Sequence, residues 1–204
     1  MHKRTSDATT EQRNALAHMS NLLRQMIEDS ITIDADSSKI TEINQLLEEA
    51  ASQVKSHRSN KRALEYYNPD FGELMNNIQP YSAISGVYNA VAGPVMFSQK
   101  GNKVIGKVSY GLAYEGPANC VHGGIISGVY DQLMAIASMA SGRSGPTAYL
   151  HVEYKNKTPL FEELEFQAWI TKEENQKVIV QGQCLHNGDV VSTAEALFIA
   201  RTKI

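Results

Sequence analysis

The spacing of apolar residues along the sequence divides the chain into two parts. Up to about residue 80, apolar residues recur at three- and four-residue steps, which is typical of amphipathic helices. The first stripe consists of Leu16, Met19, Leu23, Met26 and Ile27, and the second of Ile40, Ile43, Leu47, Ala50 and Val54. We predict an N-terminal tail and a helical hairpin extension over residues 1–80. The stripes pack on the main domain or on a second subunit, or else the helices form a regulatory or partner-binding module.

From Val95 onward the period changes to two, which predicts strands. The predicted strands cover residues 95–99, 104–110, 147–154, 164–170, 177–185 and 190–201. Asn187-Gly188 separates the last two and supplies the positive φ angles of a type I′ hairpin turn. Strands joined by short turns pair antiparallel, and their separation from the helices indicates an α+β fold. We therefore predict one domain over residues 81–204 with about six strands.

Residues 123–141 follow neither pattern, since they read as a helix that is apolar or small on nearly every face. Such a helix must be covered by other structure, so we expect the sheet to curl round it and a second subunit to cover the rest. Asp131 is its only charged residue, and a carboxylate there is costly unless it is paired or used. Gly123 and Gly124 leave bare N–H groups at the helix start, which favour negative charge.

The composition excludes several classes of function. A formal charge of −3 gives no overall attraction to nucleic acid or to anionic membranes. The first residues lack the apolar run of a signal peptide, and Asp131 argues against a membrane span. Two cysteines without metal or redox spacing suit a reducing cytosol, so we expect a cytoplasmic protein. We find no metal-ligand spacing and no nucleotide-cofactor fingerprint.

A set of short motifs in this order resembles the hotdog-fold acyl-CoA thioesterases. The motifs are Tyr114-Glu115-Gly116-Pro117, His122-Gly123-Gly124, Asp131, Thr147, Tyr154-Lys155 and Pro159-Leu160. The resemblance covers roughly residues 81–203 and is strongest to the branch with a His-Gly-Gly motif, which includes the phenylacetate-pathway thioesterases. It implies a hotdog fold and hydrolysis of a thioester to a free acid and CoA. Coenzyme A is then part of the substrate, and no separate cofactor is expected.

The resemblance assigns roles to the glycines and to Asp131. It implies that the Gly124 N–H stabilises the oxyanion, with Gly123 as the second candidate, and that Asp131 is the general base or the nucleophile. The alternatives are that the glycines allow close packing and that Asp131 is a structural charge. Gly124 and Asp131 share a helix face but lie roughly 10 Å apart along the axis. They can cooperate only across two subunits, which agrees with the dimer-interface sites of the family. We expect a homodimer or a tetramer made of two such dimers.

Three further polar residues are candidates near the thioester. His122 orients the loop or the substrate, or is an ordinary residue of the helix cap. Thr147 lies where related enzymes place a hydroxyl beside the carboxylate, although threonine is common in strands without any function. Asn119 is the third candidate, for a polar contact with the thioester.

Three basic residues are candidates for binding the CoA phosphates. Lys155 matches a family position near the nucleotide, and Lys157 and Arg143 lie close to the motifs in sequence. The alternative is that all three are solvated charges at strand ends. The competing function is a non-catalytic acyl-CoA-binding or regulatory hotdog protein, and a hotdog hydratase is less favoured because its catalytic pattern is absent from this helix.

Overall fold

The computed structural model describes residues 9–67, 75–200 and 202–203, so most of the predicted N-terminal tail lies outside the described residues. The helices are α1 (Thr10–Ser30), α2 (Ser37–Ser56) and α3 (Gly123–Ala140). The strands are β1 (Met96–Lys100), β2 (Lys103–Val108), β3 (Arg143–Ser144), β4 (Thr147–Tyr154), β5 (Leu164–Glu174), β6 (Lys177–His186), β7 (Asp189–Ile199) and β8 (Thr202–Lys203). The order of helices and strands confirms the predicted α+β fold.

Six of the strands form one antiparallel sheet in the order β1-β2-β5-β6-β7-β4. The β6–β7 turn has φ angles of 52° at Asn187 and 89° at Gly188, as a type I′ turn requires. The short pair of β3 and β8 was not predicted, because two residues are too few for a hydrophobic period. β4 is an edge strand of the sheet, and most of its residues are exposed.

α3 packs across the sheet and contributes much of the core. Its buried residues include Tyr130, whose ring meets Phe166 edge-on at 5.3 Å between centroids and whose hydroxyl donates to the Ser192 carbonyl at 2.9 Å. A Cβ added at Gly182 on β6 would lie 2.9 Å from Met134 Cε of α3 and 2.9 Å from the Gln167 carbonyl oxygen of β5. Because the backbone oxygen cannot move aside, glycine is required at this position. Within the described ranges, no helix combines the length and the apolar character needed to cross a membrane.

α1 contacts the rest of the chain through a polar stripe. Ser20 is buried and Arg24 and Glu28 are half-buried. The apolar residues of both helices are largely exposed in the single chain: Met19, Leu22, Leu23, Met26, Ile27, Ile40, Leu46, Leu47 and Val54. α1 and α2 also make few contacts with each other. The apolar stripes are thus not buried against the main domain, and the domain boundary at residue 80 stays a prediction.

The buried thiol of Cys184 predicts a loss of stability at alkaline pH. Burial raises its pKa to about 12, so the thiol ionises more readily in the unfolded chain, whose thiol pKa is about 8.5. The contribution of the protonated Cys184 thiol to the free energy of unfolding is fully present below about pH 8.5. It is lost as the pH rises from there to about 12. Between about pH 8 and pH 11 we expect this thiol to cost on the order of 3 kcal/mol of unfolding free energy. Urea denaturation at both pH values measures it, and Cys184→Ala should show a loss smaller by that amount. Equal losses in the two proteins would contradict the assignment.

Candidate functional site

The start of α3 is held by a short loop of residues 115–121. The His122 N–H donates to the Tyr114 carbonyl at 2.8 Å, and Glu115 and Val121 form an antiparallel bridge. The Glu115 carboxylate accepts the Asn119 N–H at 2.7 Å. Asn119 has a φ of 60°, a left-handed conformation that asparagine tolerates better than most residues. The loop therefore fixes the backbone that leads into the two glycines.

The two glycine N–H groups have different environments. His122 is the N-cap of α3, and its Nδ1 accepts the Gly124 N–H at 2.9 Å. The Gly123 N–H has no acceptor among the described residues. Helix starts leave such donors unsatisfied and partly positive. The donor open to a ligand is thus that of Gly123, the second candidate from the sequence, whereas His122 occupies that of Gly124.

A groove of about 760 Å³ opens at this helix start. Its wall is mainly apolar, and Lys155 and Lys157 line it on one side. The lining residues are Pro117, Ala118, Cys120, Val121, Gly123, Ile126, Tyr154, Lys155, Asn156, Lys157 and Thr158. Among the described residues, no group of His, Cys, Asp and Glu side chains is arranged to hold a metal ion. The groove combines a free backbone donor, an apolar wall and two cations.

Sequence reasoning missed a hydroxyl pair at this groove. The Tyr154 hydroxyl donates to the Gly123 carbonyl at 2.7 Å and lies 2.7 Å from Ser127 Oγ, which therefore donates to it. Ser127 lies one turn after Gly123, so helical spacing places both on one face of α3. Tyr154 had a weaker signal, since only its place beside Lys155 in the family motif marked it. The pair ties the end of β4 to the first turn of α3.

Asp131 lies apart from the groove. It is exposed, and its Oδ1 accepts a hydrogen bond from the Thr147 hydroxyl at 2.7 Å. Asp131 follows Gly123 by eight residues of continuous helix, which places the two roughly 12 Å apart along the axis. A single chain therefore does not bring the carboxylate within hydrogen-bond reach of a group held at its own Gly123 N–H.

The predicted substrate-binding residues lie at opposite ends of α3. Asn119 is exposed in the loop before the helix and does not line the groove. Arg143 follows the far end of α3, where its Nε lies 3.2 Å from the Glu173 carboxylate. The structure thus brings Lys155 and Lys157 to the groove and leaves Arg143 at the opposite end of the helix.

The fold is shared with solved structures of low sequence identity. No family model matches the chain, and no curated protein matches its sequence. A crystal structure of a thioesterase superfamily protein is 23% identical with a TM-score of 0.81, and the match covers 90% of this chain and 94% of that one. Such coverage includes much of the N-terminal helical segment.

Two further solved structures match about half of the chain. A hypothetical thioesterase protein with coenzyme A from Streptococcus pneumoniae TIGR4 is 14% identical, with a TM-score of 0.51 over 53% of this chain and 90% of that one. A Streptococcus mutans UA159 protein bound to acetyl-CoA is 16% identical, with a TM-score of 0.51 and the same coverage. The chain therefore has the hotdog fold of thioesterase superfamily proteins, which confirms the fold predicted from the sequence.

Proposed function

We propose that the protein hydrolyses acyl-CoA thioesters, as a hotdog thioesterase of the His-Gly-Gly branch. The observation that carries the proposal is the Gly123 N–H, a backbone donor without a protein acceptor among the described residues, which lies at a helix start inside an apolar groove. A preorganised donor of this kind stabilises the oxyanion that forms when a thioester carbonyl is attacked. Asp131 supplies the carboxylate that such an attack requires.

We further propose that each site is built from two subunits. β4 has a free, exposed edge, and such edges readily pair with another strand. Antiparallel pairing of two copies about the middle of β4 brings Thr147 near the partner subunit's Tyr154. Because Thr147 binds Asp131 and Tyr154 binds Gly123, the same pairing brings Asp131 towards the partner subunit's Gly123. The proposed dimer thus joins the two groups that one chain keeps apart.

The chemistry follows from this arrangement. The thioester carbonyl oxygen accepts the Gly123 N–H, and the partner's Asp131 takes a proton from a water molecule that attacks the carbonyl carbon. The C–S bond then breaks. The protonated Asp131 carboxyl gives its proton to the departing sulfur, so CoA leaves as the free thiol. In the alternative route Asp131 attacks the carbon itself, the C–S bond breaks with loss of the CoA thiolate, and water then hydrolyses the resulting anhydride to the free acid and the Asp131 carboxylate. In both routes Thr147 holds the carboxylate in place.

We assign the CoA moiety to the lysine side of the groove. Lys155 and Lys157 are exposed there, and the apolar wall suits the pantetheine arm. Two proteins of the same fold have coenzyme A or acetyl-CoA bound in their structures. The phosphates of CoA carry the negative charge that two lysines would attract.

Removing both lysines is expected to weaken binding of CoA substrates selectively. Exposed charge pairs contribute up to about 1 kcal/mol each, so the double variant Lys155→Ala/Lys157→Ala should raise KM for an acyl-CoA roughly 5- to 10-fold. The KM of the corresponding acyl-pantetheine, which lacks the nucleotide, should not change. Lys172→Ala/Lys177→Ala on β5 and β6 is the matched control. An equal change in KM for both substrates would place the nucleotide elsewhere.

Release of free thiol from a panel of acyl-CoAs tests the proposed activity. The panel should span short, long and aromatic acyl groups, because the groove does not define the acyl chain. Hydrolysis of at least one thioester is the expected result. Binding of acyl-CoA without turnover across the panel would instead support the second candidate, a non-catalytic acyl-CoA-binding or regulatory protein, which the same groove could serve.

A further inference from the structure

A carboxylate of α1 caps a turn that lies far away in sequence. Glu28 Oε1 accepts the Leu112 N–H at 2.6 Å, and Oε2 accepts the Ala113 N–H at 2.9 Å. These two donors open the 3₁₀ turn Leu112–Tyr114. Its own N-cap residue is Gly111, which has no side chain to satisfy them. Glu28 therefore does for this turn what a local Asp or Ser does for most helices.

The space around Gly111 is shaped for this carboxylate. A Cβ added at Gly111 would clash with the Glu28 carboxylate. The Gly111 φ of −95° is accessible to any residue, so the steric requirement for glycine comes from Glu28 and not from the backbone. The two residues form one contact, which can be disturbed from either side.

The capped turn leads directly to the oxyanion end of the site. Its last residue, Tyr114, accepts the His122 N–H at 2.8 Å, and His122 precedes the Gly123 donor. A shift of the turn therefore moves the start of α3. Misplacement by about 1 Å can cost roughly 100-fold in rate, so the capping contact acts on the geometry that the reaction needs.

Arg24 fixes α1 one turn earlier. Its Nε donates to the Ala92 carbonyl at 2.9 Å, and its Nη2 donates to the Gly86 and Asn89 carbonyls, each at 2.9 Å. The guanidinium thus holds residues 86–92, while Glu28 holds the turn. This polar docking explains why α1 keeps its position although its apolar stripe is exposed.

We propose that Glu28 is a positioning residue for the active site, through which the N-terminal helix sets the place of the Gly123 donor. The inference rests on the proposed function and deepens it. It gives the helical segment a role in catalysis within its own chain. Glu28 does not line the groove, so we expect its effect on kcat and on backbone protection rather than on KM.

Glu28→Ala and Gly111→Ala test the contact from its two sides. Each single variant is expected to lower kcat about 10-fold or more, with KM within about threefold, because the oxyanion donor is displaced while the groove remains. In the double variant, Gly111→Ala should cause little further loss, because the carboxylate it would strike is absent. Asp29→Ala, which removes the neighbouring exposed carboxylate, is the control and should keep the kcat of the parent.

Amide hydrogen exchange provides a readout that does not depend on activity. The Leu112, Ala113 and His122 N–H groups should exchange faster in Glu28→Ala, while those of β5 and β6 keep their protection. An unchanged kcat, with faster exchange confined to Leu112 and Ala113, would overturn the inference and leave Glu28 a merely structural cap. If the parent protein hydrolyses no thioester, the proposed activity fails, and exchange at His122 still decides whether Glu28 positions the start of α3.

Discussion

Asp131→Asn is expected to lower kcat for the best acyl-CoA substrate by roughly 100- to 10,000-fold, the range that a general base supplies. The amide keeps the size of the side chain and can still accept from Thr147, but it neither takes a proton nor attacks a carbonyl. KM should change little, since Asp131 lies outside the groove that we assign to CoA. Steady-state thiol release from the purified variant measures both parameters.

The matched control for Asp131→Asn is Asp189→Asn, which makes the same change at the β6–β7 turn. Asparagine keeps the size of the aspartate side chain at both positions, so both variants should keep nearly the thermal stability of the parent. A kcat equal to that of the parent in Asp131→Asn would make the carboxylate a structural charge and remove it from the mechanism.

Gly123→Pro is expected to lower kcat by roughly 100- to 1,000-fold, the typical effect of losing one oxyanion donor. Proline has no N–H and is well accepted at the first position of a helix. The preceding residue must be extended, and His122 with φ −59° and ψ 132° already is. The substitution therefore deletes the proposed donor and preserves the helix. The same thiol-release assay measures the loss.

Gly123→Ala controls for the added carbon, since it keeps the N–H. A Cβ at this position would lie 3.2 Å from the Tyr154 hydroxyl, so the alanine variant should lose some activity, but much less than the proline variant. If the two variants are equally active, the Gly123 N–H is not the donor, and the assignment returns to Gly124, with His122 having to move aside.

The fold could be predicted from local pattern because its elements are long and periodic. α3 ends at Ala140, close to the predicted residue 141, and the strands of the large sheet match their predicted ranges within a few residues. α1 was predicted as a helix from its apolar stripe, yet it docks by Arg24 and Glu28. Hydrophobic period indicates which face prefers burial, but it cannot show hydrogen bonds to partners more than 60 residues away.

The site was predictable in its residues and less so in their connections. Sequence placed Gly123, Gly124 and Asp131 on one helix, but it could not show that His122 Nδ1 accepts the Gly124 N–H. That bond depends on the rotamer of one imidazole, and it changes which glycine we propose as the donor. Arg143 was grouped with the lysines because it is near the motifs in sequence, whereas the length of α3 separates it from the groove.

Mixed dimers of Asp131→Asn and Gly123→Pro chains test the shared site most directly. If each site takes Gly123 from one chain and Asp131 from the other, a mixed dimer has one site with both groups intact and one with neither. Random reassembly of equal amounts then gives mixed dimers as about half of the total, with roughly a quarter of the parent activity. Two variants that are each nearly inactive should thus regain activity on mixing. If mixed dimers form, as native mass spectrometry would show, and activity stays at the sum of the separate variants, the two-subunit site is wrong.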